Sequence, residues 1–238
     1  MGRETYLAPV EWKEGEWPVV NGGLPVDTLV KAKTLPSVPL EKHLEADADD
    51  APTTGAFEWL QLQNPIPANY RRNDTMAVDE TYFVRLYPHG TLTENQQPTF
   101  VGRRQECANF TLETDVMTSG NVEAGLSVYQ INDGHLDLFV SKRQVALRCK
   151  LKSIDYVVKS VPHLRKGAVK LRISSNGEMY FFYYSLDGKK FHELASMNCS
   201  LMSTEVAGGF TGVVLGMFAE GKKKSGHADF RYFHYEEK

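Results

Sequence analysis

The sequence is poor in cysteine. Its 238 residues contain three, Cys107, Cys149 and Cys199, too far apart for a zinc-binding pair and odd in number, which excludes a structural zinc site of ordinary spacing and a complete disulfide framework. Buried thiols are the expectation. Long apolar runs are also missing: no stretch approaches the roughly 20 residues that span a bilayer, and no hydrophobic signal core follows Met1. A membrane partner is not expected, while three N-x-S/T sequons, at Asn73, Asn109 and Asn198, would permit glycosylation on a secretory route. Localisation therefore stays open. Charge of one sign is lacking too, since 27 Lys and Arg face 30 Asp and Glu for a net charge of −3. Nucleic acid as a partner is excluded on that ground, because phosphate binding needs concentrated positive charge. The basic run Lys222-Lys223-Lys224 in GKKKSG reads as a solvated turn.

Catalytic signatures are absent as well. There is no G-x-S-x-G, no S-x-x-K, no G-x-G-x-x-G, no G-x-x-x-x-G-K-S/T and no H-E-x-x-H, so no nucleophile, phosphate cradle or catalytic zinc is nominated. Cofactors are not expected. Glycosidases need two carboxylates in matched environments, and Glu113 and Asp115 do share a strand face about 7 Å apart. Outward-facing strand charges are the expected explanation.

What the chain does have is aromatic surface, 11% of residues with 11 Tyr and 12 Phe, and period-two alternation. NFTLETDV sets Phe110, Leu112, Thr114 and Val116 against Thr111, Glu113 and Asp115, and TYFVRLYP sets Val84 and Leu86 against Phe83 and Arg85. AGLSVYQI, HLDLFVS, RQVALRCK, AVKLRIS, EMYFFYYS, TGVVLGMF and ADFRYFHY continue the series, separated by NDG, NG and LDG turns. Residues 53–238 are therefore expected to form an all-β, two-sheet antiparallel β-sandwich of jelly-roll type. Residues 23–52, rich in Pro, Asp, Glu and Ala, read as a linker or extended arm, and the acidic run Glu45–Asp50 within them lacks the glycine and distant glutamate of a calcium loop.

A binding vocabulary remains. Sugar rings stack C–H faces on aromatic side chains while polar groups satisfy their hydroxyls. The candidates are Arg103, Arg104 and Gln105 in GRRQ, Glu123 and Tyr129 in EAGLSVY, the Tyr180/Phe182/Tyr184 face of the EMYFFYYS hairpin, and Phe210 in GGFTG. Core packing is the alternative for each ring, and a cross-strand ion pair the alternative for Arg103.

The stretch GRETYLAPVEWKEGEWPVVNGG closely resembles the point where the five-bladed propeller of glycoside hydrolase family 43 β-xylosidases closes. FEWLQLQNP with Trp59, VGRRQE, EAGLSVY, NGEMYFFYYSLDGKKF, GGFTGVVLGMFA and ADFRYFHY, in that order, resemble the C-terminal concanavalin A-like domain of those enzymes. The resemblance implies that residues 1–22 are a remnant of the propeller-closing segment and that the catalytic carboxylates lie upstream of Met1, leaving no catalytic residue here. It also implies that a loop aromatic matching Phe210 reaches the mouth of the propeller's active-site pocket, and that the domain is similar to xylan-binding modules. Two departures stand out: Arg231 follows Phe230 where the family commonly has an acid, which weakens Asp229 as a calcium ligand, and Gln63 stands where an arginine often precedes Asn64 and Pro65. Two roles are expected from this. The first is a non-catalytic module binding xylan or xylo-oligosaccharide; the alternative is a structural accessory that stabilises a family 43 catalytic propeller and completes its active-site pocket, without sugar affinity of its own.

Overall fold

A computed structural model describes residues 7–25, 59–72, 83–94, 96–163, 167–222 and 225–238. Most of the expected arm, the acidic run Glu45–Asp50, the sequon at Asn73 and two lysines of GKKKSG lie outside the described residues. The chain divides into two compact units, Arg3–Asp47 and Ala48–Lys238, the second including Met1–Gly2.

The smaller unit contains an antiparallel pair, β1 (Val10–Glu11) and β2 (Val19–Val20). Between them the chain reverses through a turn in which Glu16 N–H donates to the Lys13 carbonyl at 3.1 Å and Gly15 takes a φ of +78°, a region that residues with a Cβ avoid. Trp12 and Trp17 are 75% and 90% exposed.

The larger unit is built from β3 (Leu60–Gln61), β4 (Tyr70–Arg72), β5 (Val84–Leu86), β6 (Thr99–Arg104), β7 (Asn109–Gly120), β8 (Glu123–Ile131), β9 (Gly134–Val140), β10 (Gln144–Leu151), β11 (Ile154–Pro162), β12 (Val169–Asn176), β13 (Met179–Ser185), β14 (His192–Asn198), β15 (Val214–Glu220), β16 (Gly226–Phe230) and β17 (His234–Glu237). One sheet runs β11-β10-β9-β8-β15-β6-β3. The other runs β14-β13-β12-β7-β16-β5-β4, with β17 also on β7. These pairings are antiparallel, giving the expected all-β sandwich.

Alternation decides which residues meet between the sheets. Leu126, Val128, Leu136, Leu138 and Leu147 come from the first sheet and Leu112, Leu171, Ile173, Tyr180, Phe182 and Phe230 from the second, all within one core cluster. The expectation that Tyr180, Phe182 and Tyr184 offer a sugar-stacking face is corrected here. Tyr180 is 1% and Phe182 0% exposed, because this parity of β13 faces the other sheet, and Tyr184 packs partly buried against the same cluster. A second, smaller cluster lies on the opposite side of the first sheet, where Leu92 joins Phe100, Phe139, Ala146, Val214 and Phe218. Gly216 is required there: a Cβ at this position would sit 2.3 Å from the Phe100 ring.

Candidate functional site

The loop after β14 is braced at nearly every turn. Asn198 caps a 3₁₀ turn over Cys199–Met202, its side chain accepting from Ser200 N–H at 2.8 Å. Ser203 then accepts from Val206 N–H through its hydroxyl at 3.3 Å and from Ala207 N–H through its carbonyl at 2.9 Å. The stretch Gly208-Gly209-Phe210-Thr211-Gly212 follows, with φ of +93°, +79° and +78° at its three glycines, conformations that explain why glycine occupies them. Side chains of the sandwich hold its carbonyls: Gln130 donates to Gly208 at 3.1 Å, Lys152 to Ala207 and Arg104 to Thr211. The result is an aromatic ring, Phe210, that is 69% exposed on a pinned backbone.

The other expected residues do not converge on that ring. Gln105 reaches the base of the loop, its N–H donating to the Val213 carbonyl at 3.0 Å, but its side chain accepts from the Tyr180 hydroxyl at 2.8 Å and donates to the Cys107 carbonyl at 3.0 Å. Arg103 pairs with Glu106 at 3.1 Å and lies 5.1 Å from the Tyr235 ring centroid. Tyr129 sits between Phe100 at 5.5 Å and His135 at 5.9 Å, and burial with the charges of Asp137 and Asp133 pushes its phenol up to about 12. Tyr184 stacks on His192 at 5.7 Å. Asp229, weighed for calcium, accepts from Arg85 through both oxygens, at 2.6 and 2.9 Å. Arg231 turns instead to Asp115 at 3.1 Å, and Gln63 accepts from Gln97 N–H at 2.9 Å. Among the described residues no group of three or more His, Cys, Asp or Glu could hold a metal ion.

Glu123 belongs to a charge cluster that strand-by-strand reading misses. On the outer side of the first sheet, Arg148 donates to Glu220 at 2.7 Å and to Glu123, with Asp137 4.0 Å away. Asp137 in turn accepts from Ser127 at 2.8 Å and pairs with His135 at 2.8 Å. The segment after β5 is tied down on top, with Leu92 N–H donating to Glu220 at 2.6 Å and Thr93 bonded to His135 at 3.2 Å. A cleft of about 990 Å³ opens beside the cluster, lined by Thr91, Asn121, Glu123, Gln144, Arg148 and Glu220 among others. The only sequence signal was polar residues at alternate positions of β8, β9 and β10, which becomes a cluster once register sets Ser127 and Arg148 on either side of Asp137.

This cluster dictates a pH dependence. Burial first, then the charge of Asp137, pushes Glu220 from 4.5 up to about 7. Burial alone would lower His135, but the charge and hydrogen bond of Asp137 outweigh it and the imidazole is raised. Both groups therefore bind protons more tightly folded than unfolded, and their contribution is present at low pH and lost as pH rises. For Glu220 the window is 4.5 to about 7. The melting temperature is expected to fall between pH 4.5 and about 7, and Glu220→Gln to flatten that slope, as followed by scanning calorimetry; a slope of the opposite sign would contradict this account.

Residues 51–236 match the family model described as the beta xylosidase C-terminal concanavalin A-like domain. The chain belongs to this family. Similar proteins include the non-reducing end alpha-L-arabinofuranosidase BoGH43B of Bacteroides ovatus, 32% identical over 253 residues, 99% of this chain and 45% of that protein. A xylosidase/arabinosidase of Butyrivibrio fibrisolvens is 28% identical over 248 residues, 100% of this chain and 47% of that one. Among solved structures, the Bacteroides ovatus protein described as Xyloglucan PUL GH43B superposes with a TM-score of 0.83 at 29% identity, over 100% of this chain and 48% of that one. The chain thus spans less than half the length of these two curated relatives. For this beta-xylosidase C-terminal domain, the strand series and its ordered motifs lead to the fold that the family model describes.

Proposed function

We propose that this sandwich is a non-catalytic accessory domain of a pentose-releasing glycosidase, and that it acts by presenting Phe210 at the active-site mouth of a family 43 catalytic propeller. The observation that carries this reading is the combination of a 69% exposed phenylalanine with a backbone fastened by Gln130, Lys152 and Arg104. An exposed ring on a loose loop would lose most of its binding energy to ordering, whereas a pinned one is already placed. Such a ring, seated over a small sugar pocket, excludes water and stacks on a C–H face. The carboxylates of the sandwich support a non-catalytic role: Glu113 is paired with Arg172 at 2.6 Å, Asp115 with Arg231 at 3.1 Å and Asp229 with Arg85 at 2.6 Å. Glu220 is a raised acid beside a cleft, but Leu92 N–H and Arg148 occupy both its oxygens, whereas a glycosidase needs an acid free to face the sugar and an ionised partner across it.

The test adds this chain in trans to a propeller expressed alone. Restored hydrolysis of nitrophenyl xyloside or arabinofuranoside is expected, and Phe210→Ala is expected to lower the restored kcat/KM by about tenfold, on the order of one lost aromatic contact. Equal rescue by both proteins, or no rescue, counts against the assignment. An independent xylan-binding role, the other expectation, loses Tyr180 and Phe182 of its five named rings to the core, so it needs a different surface.

A further inference from the structure

We infer that the outward face of β12, β13 and β14 is a binding platform for a neutral polysaccharide chain, centred on Phe181 and Tyr183. This is independent of the role of Phe210, which is carried by the loop before β15. On β13 the parity opposite to the core pair Tyr180 and Phe182 places Phe181 and Tyr183 on the outer surface, both half-buried. They lie two residues apart on one strand, about 7 Å along its axis, so two rings stand side by side on one face. A shallow depression of about 390 Å³ forms over them, lined by Asn109, Ser174, Asn176, Phe181, Tyr183 and Lys238.

Register surrounds the rings with the right polar groups. Ser174 sits opposite Phe181 and Arg172 opposite Tyr183 on one flank, while Ser196 and Glu193 oppose the same two residues on the other. One row further, Asn176 pairs with Asn109. Amides and hydroxyls beside aromatic faces are the groups that recognise a pyranose: the rings take its C–H face and the amides and hydroxyls take its hydroxyls. Arg172 is held for this purpose, donating to Glu113 at 2.7 Å and lying 3.7 Å from the Phe191 ring centroid. Its charge is offset by Glu113, which leaves Lys238 as the single cation among the described residues lining the depression, where an anionic chain would need several. The depression is open rather than enclosed, so a chain lies across it and a free monosaccharide finds little to grip.

Native affinity electrophoresis of the full chain in gels containing soluble arabinoxylan, mixed-linkage β-glucan or polygalacturonate tests the assignment. Retardation by at least one of the two neutral polymers is expected, with about a tenfold loss of apparent affinity in Phe181→Ala and in Tyr183→Ala and none in Phe210→Ala. Chemical-shift mapping with the retarding polymer's hexamer reads the site without mutation, and should perturb β12–β14. No retardation by either neutral polymer, retardation by polygalacturonate alone, undiminished retardation in both variants, or shifts confined to other strands would each overturn it.

Discussion

Replacing Arg148 with methionine is expected to lower the melting temperature of the chain by about 6–20 °C. The guanidinium is the cation that Glu220, Glu123 and Asp137 share. The side chains of Glu220 and Asp137 are only 5% and 0% exposed, so neither carboxylate has water to fall back on. Removing one partner from a buried charge group costs about 3–5 kcal/mol, because the remaining charges stay in low dielectric. In a domain of this size each kcal/mol moves the midpoint by about 2–4 °C. Methionine keeps much of the arginine's volume, so the loss reports charge more than packing. Adding Glu220→Gln to Arg148→Met should restore part of the loss, since one stranded carboxylate is then neutral, and the double variant should depart from additivity by at least about 0.5 kcal/mol. A midpoint within about 2 °C of the parent for Arg148→Met would show that the cluster is solvated enough to be dispensable.

The strand series was legible because alternation along one strand is a local property. In β7, Phe110, Leu112, Thr114 and Val116 are all 0% exposed, as the pattern of NFTLETDV demands, while Glu113 stays half-buried against Arg172. The Arg148 cluster was not legible, because it requires the registers of β8, β9, β10 and β15 together. β8, β9 and β10 show polar residues at alternate positions, the same pattern that a solvated face would give, and β15 contributes only Glu220 at its end. Segment Thr91–Glu94, which covers that face, carries no periodic signal that would have announced a lid. The Phe210 loop was half legible: GGFTG signals a turn needing positive φ, but the side chains that pin it come from β6, β8 and the turn after β10, far away in sequence.

The limit of alternation is sharpest on β13, where both parities are aromatic and the pattern states that neighbours point apart without stating which set points inward. That ambiguity converts into the second large effect. Phe182 is 0% exposed and sits in register between Ile173 and Ala195, so Phe182→Ala removes a full ring from a packed core at a cost of about 3–5 kcal/mol. The midpoint should fall by about 6–20 °C. Phe181→Ala, one residue away, should cost less than about 1.5 kcal/mol, since its ring is partly exposed on the outer face and leaves no closed cavity. Because a shift of one residue exchanges the two faces of a strand completely, the pair is a direct measurement of register. Similar losses in both variants, or a larger loss in Phe181→Ala, would mean that β13 is turned over, and the polysaccharide platform would move with it to the rings of Tyr180, Phe182 and Tyr184.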